Sequence, residues 1–143
     1  MNDSCDVLTG AATSHLCSVR RDIREQLDRW GTGELADDAA LIVSELLGNA
    51  FRHGRPPVSL SLVLDNQQDR PCVRIGVTDS GPAMDVDLVR ARWRHPSGDL
   101  TTDGRGLRLV DALSLAWGDQ PRLAGHTVWA ELDCSRRPGR VGA

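Results

Sequence analysis

The sequence predicts an α/β fold, a two-layer sandwich in which a mostly antiparallel sheet carries helices packed on one face. Three observations lead there. The first third of the chain holds two stretches of helical periodicity. Its middle holds two alternating runs separated by a polar turn, the pattern of a hairpin. A helical stretch opened by glycines then precedes a second pair of strand-like runs.

The first helix is read from Ser14 onward, because Leu16, Val19, Ile23, Leu27 and Trp30 recur at spacings of three and four. Ser14 is placed to cap it and Gly31 to end it. After the turn Thr32-Gly33, a second helix runs over Glu34–Arg52 and closes at Gly54, where Pro56-Pro57 prevents it from continuing. Val58–Leu64 alternates apolar and polar residues, as does Val73–Asp79, with Asp65–Pro71 as the turn between them. Parity puts Val73, Ile75, Val77 and Asp79 on one face, so a carboxylate stands at the core side of the strand's end and needs a hydrogen-bonding partner. Asp85–Trp93 reads as a short helix and His95–Gly106 as a mobile loop. A helix carrying Leu107, Val110 and Leu113 follows. Leu115–Trp117 and Thr127–Asp133 are the last strands, with Gly118–Gly125 as their turn.

A length of 143 residues suits one domain, placed at 14–134, with residues 1–13 and 135–143 as flexible termini. No apolar run approaches the roughly 20 residues of a membrane span. The polar start lacks a signal-peptide core, so a cytoplasmic protein is expected. A formal net charge of −3 argues against a dedicated nucleic-acid binder. All 17 basic residues are arginines, which excludes a P-loop that needs its lysine on the phosphates. Cys5, Cys17, Cys72 and Cys134 are scattered without CxxC spacing, which argues against structural zinc and for reduced thiols.

Candidate chemistry begins in LIVSELLGNAFRHG, Leu41–Gly54. Glu45, Asn49 and His53 lie four residues apart, so they project along one stripe of the helix beside Ile42, Leu46 and Ala50. That stripe reads either as a simple polar outer face or as a base, a cation ligand and a polar wall. Asp79 can accept a hydrogen bond from an exocyclic amine of the kind adenine offers. Asn49 can offer an oxygen to a divalent cation. Gly104-Arg105-Gly106-Leu107 opens a helix, where free N–H groups and the helix dipole favour an anion. With no lysine present, Arg105 and Arg108 are the nearest basic residues for phosphates. Taken singly each motif is weak: Gly104–Gly106 lacks the third glycine of a dinucleotide fingerprint, and Asp79-Ser80-Gly81 is an ordinary strand-ending turn. The Arg90, Arg92 and Arg94 run reads as a solvated face, and Trp30, Trp93, Trp117 and Trp129 as packing or partner-surface residues.

In order and spacing these elements resemble the histidine-kinase-like ATPase (GHKL) superfamily, and within it the stand-alone anti-sigma-factor serine/threonine kinases of partner-switching systems. SELLGNAFRHG resembles the N-box, VTDSGPAM the first glycine box, GRGLRLVDALSLAWG the second, and GHTVWAEL the closing strand. The resemblance implies ATP and Mg2+ as cofactors. It implies Glu45 as general base, Asn49 as magnesium ligand and Asp79 as the reader of the adenine amine. Gly81, Gly104 and Gly106 would shape the pocket and its lid, and His53, Ala83, Arg105, Leu107 and Thr127 complete the expected nucleotide site. Ala83 replaces the usual second glycine of the first box, and His126 stands where a threonine usually follows glycine, with Thr127 one place on. The implied function is phosphorylation of an anti-anti-sigma (STAS-type) partner, with a sigma factor as a further partner and a homodimer as the assembly. The alternative is a nucleotide-dependent partner-switching module without efficient transfer.

Overall fold

A computed structural model describes residues 2–9, 16–65, 70–94 and 102–135. The elements are β1 (Asn2–Thr9), α1 (Leu16–Arg29), α2 (Ala36–His53), β2 (Ser59–Asp65), β3 (Cys72–Asp79), α3 (Val86–Arg94), α4 (Thr102–Leu113), β4 (Ala116–Arg122) and β5 (Gly125–Asp133). The strands form one antiparallel sheet in the order β1-β2-β3-β5-β4. The expected α/β sandwich is the observed fold. Ile23 and Leu27 of α1 and Ile42, Leu46 and Leu47 of α2 are fully buried, as are Leu60, Leu62, Ile75 and Val77 of the sheet. Alternation along β2 and β3 thus sends every second side chain to the helices. Gly31 ends α1 in the left-handed region (φ 72°), and the Thr32 N–H reaches back to the Leu27 carbonyl at 2.8 Å. Ser14, expected as the cap of α1, lies outside the described residues, as do 95–101 of the expected loop.

Four boundaries differ from the sequence reading. Asn2–Thr9, expected in a flexible terminus, pair with β2 as an edge strand, from Asn2↔Asp65 to Thr9↔Ser59. A backbone ladder needs no apolar alternation, and an edge strand tolerates the polar residues that hid it. A single turn of 3-10 helix, Gly33–Leu35, leads into α2, which therefore starts at Ala36 and not at Glu34. The Gly118–Gly125 turn is instead mostly strand: β4 continues to Arg122 and only Leu123-Ala124 turn the chain. Pro121 is compatible with this because β4 is an edge. Finally, α4 begins at Thr102, so Gly104 and Gly106 lie within its first turns and do not precede it. Among the described residues no helix is long and apolar enough to cross a membrane.

Cys72 and Cys134 are free thiols where the start of β3 meets the end of β5. Burial pushes the Cys134 thiol up to about 11, and the neighbouring Cys72 and Asp133 add to the rise. Burial also raises Cys72, followed by the Glu131 and Asp65 carboxylates. The thiolate is the reactive form. At about pH 8 alkylation of both cysteines in the folded protein is therefore expected to be much slower than in the urea-unfolded chain. Peptide mass spectrometry of a labelling time course checks this, and equal rates in the two states would contradict it.

Candidate nucleotide site

α2 supplies one wall of a cavity of about 500 Å³, through Leu46, Asn49, Ala50 and His53, with Gly54 just beyond the helix end. β3 contributes Val77 and Asp79, β5 His126 and Val128, and α4 Leu107. Pro82, Met84 and, from α3, Val89, Arg92 and Trp93 close the remaining side. The volume lies in the range of small-molecule sites, and the walls are largely apolar with a few convergent polar groups.

Asp79 is the most constrained of those groups, only 3% exposed at the end of β3. Its Oδ1 accepts the Gly81 N–H at 2.6 Å and the Arg55 N–H at 3.3 Å. Its Oδ2 lies 3.0 Å from His126 Nε2. Ser80 strengthens the same junction: its N–H donates to the Arg55 carbonyl at 2.8 Å and its hydroxyl to the Pro56 carbonyl at 2.7 Å. Asp79-Ser80-Gly81 therefore pins the chain leaving α2 to the end of β3. Gly125 permits the approach from the other side. It sits at φ 141°, and a β-carbon there would overlap the Asp79 carbonyl.

On α2, Asn49 Oδ1 accepts from the Arg52 guanidinium at 3.3 Å. Glu45 is half-buried one turn earlier and does not line the cavity. Its carboxylate instead rests against Gly106 of α4, where a β-carbon would strike Glu45 Oε2. The glycine thus lets α4 close on α2, while Leu107 and Val110 are buried beside it.

Of the residues expected at a nucleotide site, Asn49, His53, Asp79 and Leu107 line one cavity. Gly81 acts through its N–H on Asp79. Ala83 is exposed between the lining residues Pro82 and Met84. Gly104 and Arg105 fall in α4, and the Arg105 side chain lies outside the described set. Thr127 is not brought to the site. It pairs with Thr78, their hydroxyls 2.7 Å apart, and also receives the Arg122 Nε–H at 3.1 Å, on the sheet face opposite Asp79. Strand parity causes this: Asp79 pairs with His126, so the next residue points away. Arg92 is exposed, as expected of a solvated face, and Trp93 packs as expected; both also line the cavity. Trp93 also packs on Trp117, ring centres 6.1 Å apart.

The sequence profile of the histidine kinase-like ATPase domain matches residues 9–125. The chain belongs to the histidine kinase-like ATPase family. Among solved structures it is similar to the histidine kinase domain of the blue-light activated histidine kinase of Erythrobacter litoralis EL346, at 21% identity with a TM-score of 0.49. That alignment covers 85% of this chain and 60% of the other, so this chain spans less than two thirds of that structure. No curated protein matches.

Domains of this family bind ATP, generally with magnesium. The cavity suits such a ligand. A carboxylate offers about four acceptor positions. Two backbone N–H groups donate to Oδ1 and His126 Nε2 lies beside Oδ2, which leaves an acceptor position for a base amine. Leu46, Val77, Met84, Leu107 and Val128 supply apolar walls for a ring. The described residues hold no cluster of three or more His, Cys, Asp or Glu for a metal. A cation held at Asn49 would share its coordination with phosphate and water, as magnesium commonly does.

Proposed function

We propose that the protein is an ATP-dependent serine/threonine kinase of the anti-sigma-factor type that phosphorylates a STAS-type anti-anti-sigma partner and can sequester a sigma factor. The observation that carries this reading is the Glu45–Asn49 pair, a carboxylate one helical turn from a carboxamide on the cavity wall. In the transfer the bond from the β–γ bridging oxygen to the γ-phosphorus of ATP breaks, ADP leaves, and the phosphoryl group joins the partner's hydroxyl oxygen. Asn49 would hold a magnesium ion, which would offset the phosphate charge. Asp79 receives the adenine amine, and the apolar walls exclude water from the ring. Glu45 takes the proton of the attacking serine or threonine hydroxyl, which is the one base such a transfer needs. The protein is taken to act in the cytoplasm as a homodimer.

A second reading has its own support. Glu45 faces Gly106 and not the cavity, which fits a module that binds nucleotide and switches partners without efficient transfer. Incubation with γ-labelled ATP and a STAS-type partner recovered by co-purification separates the two. Phosphate incorporated into a serine or threonine of the partner is the expected result. A wild-type protein that binds ATP and labels no such partner excludes the kinase.

A further inference from the structure

Asp79 is one end of a relay that crosses three neighbouring strands. His126 Nε2 is 3.0 Å from Asp79 Oδ2, and His126 Nδ1 is 2.7 Å from Asp119 Oδ2. The Asp119 side chain is 1% exposed and that of His126 9%, so water does not substitute for these contacts. Asp119 Oδ2 also accepts the Met84 N–H at 2.8 Å. Register explains the alignment. Asp79 and His126 are direct partners across β3 and β5, whereas Asp119 of β4 is diagonal to His126, opposite Val128 on the same face. A neutral imidazole can donate to one of these carboxylates, an imidazolium to both.

We infer that His126, braced by Asp119, is the positioning residue that fixes Asp79 as an acceptor for an amine-bearing base and thereby sets the nucleobase preference of the cavity. The inference rests on the nucleotide-binding reading above. With Nε2 carrying a proton, every described polar contact of Asp79 is with a donor: two backbone N–H groups on Oδ1 and the imidazole on Oδ2. The remaining acceptor position of Oδ2 matches the N–H of an adenine-type amine. It opposes the carbonyl that guanine carries at the equivalent place. Without the imidazole, Oδ2 loses its donor in a buried site. The carboxyl is then free to turn, its acceptor is no longer aimed at the amine, and discrimination between an adenine amine and a guanine carbonyl falls. Asp119 holds the other side of the ring. It also ties the ring to Met84, a cavity-wall residue just before α3, so the base floor and that wall share one network.

The test is the ratio of ATP to GTP affinity, by calorimetry, for wild type, His126→Leu, His126→Gln and Asp119→Ala, with thermal unfolding recorded for each. Wild type is expected to prefer ATP. His126→Leu is expected to lose roughly tenfold or more of that preference. His126→Gln, whose carboxamide N–H can still reach Asp79, should recover most of it. Asp119→Ala leaves the imidazole unbraced and should lose roughly two- to tenfold. A purely structural role would weaken both nucleotides together and leave the ratio unchanged, which overturns the inference. So would equal losses in His126→Leu and His126→Gln. Should His126→Leu not fold, Asp119→Ala decides, and an unchanged ratio there has the same force. A wild type that binds neither nucleotide overturns the nucleotide reading and this inference together. A wild type that discriminates alongside variants that discriminate equally well overturns this inference alone.

Discussion

Glu45→Ala is expected to bind ATP within a few-fold of wild type while losing about 10²–10⁴ in the rate of phosphate transfer to a partner. Asn49→Ala is expected to lose both together. The two residues are one turn apart on α2, but their surroundings differ. Asn49 lines the cavity with its Oδ1 on the Arg52 guanidinium, a contact that a cation would replace. Glu45 rests against Gly106 outside the lining set, so its removal takes nothing from the walls that hold a nucleotide. A proton acceptor matters only when a hydroxyl attacks, which confines its effect to transfer. Affinity by calorimetry and label incorporation into the partner, each on wild type and both variants, make the comparison. Slow hydrolysis without a partner does not serve, because it is compatible with either role. If Glu45→Ala loses ATP affinity as badly as Asn49→Ala, Glu45 is a packing residue of the α2–α4 contact. Transfer at the wild-type rate would exclude it as the base.

The parts of this site carried by one element are legible in the sequence. Four-residue spacing puts Asn49 and His53 on one stripe of α2, and both line the cavity. Period-two alternation puts Asp79 with Val73, Ile75 and Val77, and all four are buried. What depends on pairing between elements is not legible until the register is known. His126 meets Asp79 only because β5 pairs with β3 in one alignment, and the same alignment turns Thr127 to the opposite face. Asp119 is hidden more deeply. Gly118 and Pro121 read as turn residues, whereas both are accommodated in the edge strand β4. Gly118 lies under the Trp129 ring, which a β-carbon would strike, and Arg74 caps that ring at 4.4 Å. A glycine kept clear for an aromatic neighbour has the same sequence signature as a glycine in a turn. β1 escapes a sequence reading for the opposite reason, since its support is a backbone ladder to β2 and its sequence carries no apolar alternation.

Asp79→Asn is expected to weaken ATP binding roughly ten- to a hundredfold, the cost of losing a buried charge-assisted hydrogen bond. GTP should lose far less, so the gap between the two nucleotides closes. The substitution preserves size, which isolates the exchange of an acceptor for a donor. The introduced carboxamide can keep its one oxygen on the Gly81 and Arg55 N–H groups, where Asp79 now accepts at 2.6 and 3.3 Å. Its NH₂ then replaces Oδ2, 3.0 Å from His126 Nε2, and turns towards the base a donor where adenine also brings one. The flipped amide satisfies the base and leaves two backbone N–H groups facing an NH₂. With Nε2 of His126 carrying a proton, either orientation leaves donors opposed in a site that is 3% exposed even before a base enters, so the unliganded protein should also lose stability. Thermal unfolding without nucleotide, recorded beside ATP and GTP titrations, separates the two effects. A general weakening of the fold lowers both affinities alike, whereas loss of the base-reading acceptor lowers ATP selectively. Retention of the wild-type preference for ATP in a folded Asp79→Asn protein would remove Asp79 from base recognition, and with it the reason for a buried carboxylate at the end of β3.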